Sequence, residues 1–200
     1  KDFRDDADQA EVYYKRAIEA DPNQANNLGN YAIFLKVIRQ DFDQAEEYYR
    51  RATENDPNNA ERIGSYAFFL SDVQQNFPEA DQQFEKAYKL AAQEPNLAGN
   101  YAHHKIVAHR DFEAAERLID AAFTIEGSLG NGLLAELWFY RYAHYAQYLD
   151  TAATELDQLI ANGARSPGWN LQPHVEIARE NEHPDPTRLQ GFADAIAKEE

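Results

Sequence analysis

The chain reads as an all-α protein, a solenoid of helix-turn-helix repeats, and three observations carry that reading. A short pattern recurs at a shift of 35 residues, as Leu28-Gly29-Asn30-Tyr31-Ala32, Ile63-Gly64-Ser65-Tyr66-Ala67 and Ala98-Gly99-Asn100-Tyr101-Ala102. The downstream half keeps the same register: Asp41-Phe42 with Ala45, Tyr49 and Ala52; Phe77 with Ala80, Phe84 and Ala87; Asp111-Phe112 with Ala115, Ile119 and Ala122. Within each unit the apolar residues fall at helical spacing, as in Tyr31, Phe34, Leu35 and Ile38, with charge between them. Self-similarity at a period of about 20–50 residues marks stacked supersecondary units, and here each unit is two helices.

The elements follow in order. Residues 1–23 form a half repeat, a second helix alone, because Asp6, Ala10, Tyr14, Ala17 and Asp21-Pro22 match Asp41, Ala45, Tyr49, Ala52 and Asp56-Pro57. Repeat 1 spans 24–58, repeat 2 spans 59–93 and repeat 3 spans 94–127. In each, the turn between helices holds Gln40-Asp41, Gln75-Asn76 or Arg110-Asp111, and Asp56-Pro57-Asn58 breaks the chain before the next unit. Small side chains at Ala32 and Ala45, Ala67 and Ala80, and Ala102 and Ala115 let paired helices approach, while Tyr31, Leu35, Phe42 and Tyr49 fill the surrounding space. Residues 128–163 read as a degenerate repeat 4, with an aromatic first helix from Gly130 to Gln147 and a partner from Asp150 to Ala161. Residues 164–200 read as capping helices, Pro173 to Glu182 and Pro186 to Lys198, the second capped by Asp185, with Trp169 plugging the last core face. Together they are expected to make one solenoid domain.

Composition limits the function classes. The chain's 200 residues, 44% hydrophobic, suffice to bury a core. A formal charge of −16 repels phosphate backbones and anionic bilayers, which argues against nucleic acid and membrane and favours a basic partner if charge steers association. No window approaches the roughly 18 apolar residues of a membrane span. Absence of cysteine excludes disulfides and thiolate metal sites and favours a reducing compartment, so the cytoplasm is the expected location. The opening on a second helix without an initial Met suggests a fragment of a longer chain.

The repeat resembles the tetratricopeptide repeat family over roughly residues 5 to 125. The family's small first-helix residue falls on Ala32, Ala67 and Ala102, its paired second-helix alanines on Ala45 and Ala52, and its closing Pro on Pro22 and Pro57. The period is one residue longer than the usual one, an excess placed in the turn between helices. The bulky family position is Leu28, Ile63 or Ala98, and Gly127 stands where a Pro is expected. The resemblance implies a right-handed α-solenoid whose first helices line a concave groove.

No catalytic constellation emerges. His109-Arg110-Asp111 matches the start of a kinase catalytic loop, but Asp111 occupies the place of Asp41 and Asn76 and reads as a helix cap, and the later Asn position is Glu116. No histidine pair has the spacing of 3 or 4 that puts two ligands on one helix face, so no metal is expected; His103 reads as surface and His104 as packed or solvated. The glycine-rich run 127–132 lacks the Lys-Ser/Thr of a phosphate loop. Acidic residues such as Glu46, Glu47, Asp81 and Glu116 read as a solvated face, and Trp138, Tyr142 and Tyr145 as core. The chain is expected to be no enzyme and to need no cofactor.

The groove stripe is Asn26, Asn30, Ile33 and Val37 on the first helix of repeat 1. Shifted, it becomes Glu61, Ser65, Phe68 and Asp72 in repeat 2, and Asn96, Asn100, His103 and Val107 in repeat 3. Ile33, Phe68 and Val107 call for a cover, either a ligand or a neighbouring hairpin. Asn30 and Asn100 fall where family members pair an extended peptide's main chain, and Gly29, Gly64 and Gly99 beside them give room either for that approach or for helix packing. With no Lys or Arg in the stripe, the family's carboxylate clamp is disfavoured. The expected function is a scaffold holding a protein or peptide in the groove; the alternative is a regulatory or sensor region of a larger enzyme or signalling protein. Self-association through Tyr14, Ala17 and Ile18 of the half repeat is a third reading.

Overall fold

A computed structural model describes residues 3–125, 129–167 and 169–198, with eleven α-helices and no strand among them. They divide into two compact units, residues 1–92 and 93–200.

The first unit contains α1 (Phe3–Ala20), α2 (Ala25–Phe34), α3 (Phe42–Asn55), α4 (Ala60–Asp72) and α5 (Phe77–Leu90). Helices α2 and α3 pair as a hairpin, as do α4 and α5, while α1 rests on α2 and α3 on α4. Gln24, Asp41 and Asn59 cap α2, α3 and α4, each side chain accepting the N–H of the third residue on; such a cap is worth about 1 kcal/mol. Ala32, Ala45, Ala67 and Ala80 are all fully buried where the hairpin helices cross. Aromatic rings surround these contacts: Tyr48 meets Tyr31 edge-on at 4.7 Å, and Tyr49 packs at 5.1 Å from Phe69.

The turns show where the extra residue of the repeat goes. Gln40, Gln75 and Arg110, spaced 35 apart, all adopt left-handed backbone with φ of 53°, 53° and 56°. The N–H groups of Asp41, Asn76 and Asp111 then reach back to the carbonyls of Leu35, Leu70 and Lys105. That closure spans one residue more than the usual left-handed helix end. In repeat 1 the widening extends into the helix as a π-helical turn over Leu35–Arg39.

The second unit contains α6 (Pro95–His109), α7 (Phe112–Thr124), α8 (Asn131–His144), α9 (Leu149–Ala161), α10 (Gln172–Glu180) and α11 (Pro186–Ala197). Hairpins α6–α7 and α8–α9 repeat the earlier pairing, and α10 packs on α11 but also on α6 and α8. The first helix of the fourth hairpin ends before the expected Gln147. Tyr145 is extended and donates its hydroxyl to the Phe112 carbonyl at 2.8 Å, and a single 3₁₀ turn over Ala146–Tyr148 follows. Arg141 lies over the rings of Phe123, Trp138 and Tyr148 at 4.1, 5.0 and 4.4 Å, so this aromatic cluster is built around a cation. Asp185 caps α11 by accepting the Arg188 N–H. Of the glycine-rich run, Gly127 and Ser128 lie outside the described residues. Gly132 abuts the Arg165 carbonyl so closely that a Cβ would sit 2.7 Å from it.

Candidate functional site

In the first unit the expected stripe is largely open. Asn26, Asn30 and Ile33 are exposed on α2 and Val37 on the π-helical turn that continues it, with Ile33 at 37% and Val37 at 56%, and α4 adds half-buried Ser65 and Phe68 and exposed Asp72. Two cations that the stripe did not include sit among them. Lys36 places its Nζ 5.0 Å from the centre of the Phe68 ring. Burial pushes its ammonium below the ordinary lysine value, against the pull of Asp72.

Arg62 of α4 is only 8% exposed and donates from Nη1 to Asn30 Oδ1 at 3.0 Å and from Nη2 to Glu61 at 3.0 Å. Its Nε is buried with no partner among the described residues. The room for this side chain comes from Gly29, where a Cβ would lie 2.7 Å from Arg62 Cδ. Gly29 therefore serves helix packing, and the Asn30 carbonyl oxygen already holds an internal hydrogen bond. The expectation that this face lacks Lys and Arg is corrected: both reach it from positions just beside the stripe.

In the second unit the equivalent stripe is open only at its start, where Asn96 is exposed. Asn100 and Val107 are half-buried on α6, and His103, expected on the surface, is 2% exposed. The cover is the closing segment of the same unit. His174 of α10 brings Nε2 within 2.9 Å of His103 Nδ1 and Nδ1 within 2.9 Å of His144 Nε2 on α8. The Tyr140 ring stacks on His174 at 4.3 Å, and Trp169 sets its indole edge-on to His103 at 5.5 Å while donating Nε1–H to the Tyr140 hydroxyl at 2.9 Å. Trp169 thus closes over the α6–α8 face, beside α10. Burial holds His103 down to about 4 and His144 down to about 3, and depresses His174 strongly, with its neighbour imidazoles adding to the effect. Gly99 has Leu133 and Leu137 against it, so it too serves packing.

The sequence missed this cluster because its members stand far apart in the chain and obey no repeat. Its one legible signal was the placing of three of only six histidines on separate predicted helices. A buried carboxyl lies in the same unit: Glu136 of α8 accepts the Ser166 hydroxyl, and burial raises it to about 7. On α1, Tyr14 lies against Tyr31 and Phe34, at 5.6 and 5.4 Å, and Ala17 and Ile18 are half-buried. Among the described side chains of that helix the exposed large apolar groups are instead Val12 and Tyr13, the latter at 68%.

The tetratricopeptide repeat profile matches residues 3–24 and 26–59. Residues 3–59 therefore carry tetratricopeptide repeats, which generally mediate protein–protein interaction. A solved structure from the functional characterisation of Pseudomonas aeruginosa pilF aligns with a TM-score of 0.64 at 22% identity, covering 94% of this chain and 82% of that one. Likeness at that identity speaks for the fold, an all-α helical-repeat solenoid. No curated protein matches the chain. Among the described residues no helix is long and apolar enough to cross a membrane.

Proposed function

We propose that the chain is a non-catalytic binding module and that the α2–α4 face of its first unit holds a peptide or protein segment. The observation that carries this reading is the exposure of Ile33 and Val37 beside Phe68, whose ring is already capped by Lys36. Three apolar groups on adjacent first helices would lose about 25 cal/mol for each Å² they leave in water, and a partner recovers that energy. Polar groups frame the apolar centre: the Asn30 amide nitrogen, Asn26 and Asp72 give donors and acceptors for main chain or side chains.

With Lys36, Arg62 and Asp72 all on this face, local charge is mixed, and the acidic surplus of the whole chain sets only long-range steering toward a basic partner. The test replaces Val37 or Phe68 by a photo-crosslinking residue in cells, with Glu47 and Glu85 on α3 and α5 as comparison positions. Crosslinking to one common polypeptide from 37 and 68, and not from 47 and 85, supports the assignment. A common product only from 47 and 85 refutes it.

A further inference from the structure

We infer that α10 is an acid-released closing segment, latched onto α6 and α8 by the relay His103–His174–His144. The inference stands apart from the peptide-binding reading of the first unit. Its ground is the hydrogen-bond arithmetic of three buried imidazoles. Each of the two contacts, both 2.9 Å, needs one proton between two nitrogens. A neutral His174 has one N–H and one lone pair, so three neutral rings satisfy both contacts.

The end of the relay fixes its direction. His144 Nδ1 is buried and finds no partner among the described residues, and a lone pair is cheaper there than an N–H. His144 Nε2–H therefore donates to His174 Nδ1, and His174 Nε2–H donates to His103 Nδ1.

Added protons break this arrangement. One proton on His174 makes both its nitrogens donors, which forces His144 to turn its own proton onto the unpartnered Nδ1. A second proton, on either neighbour, sets N–H against N–H. The charged groups around the relay offer no relief. Arg110 at the end of α6 raises the cost of charging His144 and His174, His183 beyond α10 adds to it at His144, and His104 adds to it at His103. Glu180 of α10 pairs with Arg110, at 3.5 Å, and Tyr140 presents a neutral ring face. Glu136 of α8 engages Ser166 rather than an imidazole.

Released into water, each histidine regains its ordinary value near 6.5, so the open segment binds more protons than the closed one once pH falls below that. Closure is complete above about pH 6.5 and weakens with acidification, by up to about tenfold per pH unit for each histidine that charges on opening.

The experiment is amide hydrogen exchange of the full chain between pH 7.5 and 4.5, corrected for intrinsic exchange rates. The expected result is a loss of protection over residues 172–180 of at least tenfold below pH 6, ahead of any change in α6–α9. Constant protection there, or loss simultaneous with α6–α9, overturns the inference. His144→Phe should keep the ring and flatten the pH slope; an unchanged slope also overturns it. Should that variant fail to fold, ¹⁵N-histidine NMR of the unaltered chain decides. Three neutral imidazoles at pH 6 that charge together with opening support the latch, whereas relay histidines titrating near 6.5 with α10 still protected refute it.

Discussion

Arg62 lies in the space that Gly29 leaves open: a Cβ on residue 29 would come within 2.7 Å of Arg62 Cδ, so the two positions on α2 and α4 fit only as a pair. Gly29→Ala gains about 1 kcal/mol of helix propensity but displaces a nearly buried guanidinium and strains its bond to Asn30. The expected net effect is a destabilisation of about 1–2 kcal/mol. In an Arg62→Ala background the same change should be neutral or stabilising, by up to about 1 kcal/mol. Denaturant melts of the four variants measure this cycle, and additive effects would show that the two side chains do not compete for that space.

The hairpin crossings offer a second prediction. Ala45 and Ala80 are fully buried, so Leu at either position has no room and should cost about 1–3 kcal/mol. Urea midpoints report it. A neutral Ala45→Leu would mean that α2 and α3 have slack at their crossing.

A third concerns pH on the alkaline side. Glu136 titrates near 4.5 when unfolded and is raised to about 7 by burial in the fold, so the folded state holds its proton more tightly. Its contribution is fully present below about pH 4.5 and is lost as pH rises through 7, amounting to about 3 kcal/mol over the whole span. Glu136→Gln keeps the Ser166 partner and should remove this slope. Thermal melts from pH 5 to 8.5 compare the two proteins, and identical slopes would place the alkaline sensitivity elsewhere.

What the sequence made legible is what the repeat encodes locally. Helix periodicity, the Asp41 and Asp111 caps and the small residues Ala32, Ala45 and Ala67 depend on neighbours within one unit, so one chain suffices to read them. The face of α2 and α4 was half legible. Ile33, Val37 and Phe68 fell on a common stripe, but Arg62 and Lys36 enter it by bending long side chains from adjacent positions, which a spacing rule does not follow. His103 was misplaced for a different reason. Its cover, His174, comes 71 residues later from a helix outside the repeat, and no periodic signal links the two.

Binding affinity tests the groove from another side. Once a bound segment is identified by crosslinking, Phe68→Ala and Val37→Ala should each weaken it by about 1–3 kcal/mol, with folding unchanged at exposed Val37 and lowered by less than the affinity at half-buried Phe68. Asn30→Ala should behave differently, since it leaves Arg62 without one of its acceptors and costs about 1 kcal/mol of stability as well. Titration calorimetry beside thermal melts separates the two effects, and equal losses of affinity and stability at Phe68 would mark that residue as packing alone.

The most direct measurement of the central claim is site-specific photo-crosslinking in cells from residue 37, in the π-helical turn after α2, and residue 68 on α4, set against residues 47 and 85 on α3 and α5. The account predicts one polypeptide captured in common from 37 and 68 and none in common from 47 and 85; a shared partner captured only from the α3 and α5 positions would contradict it.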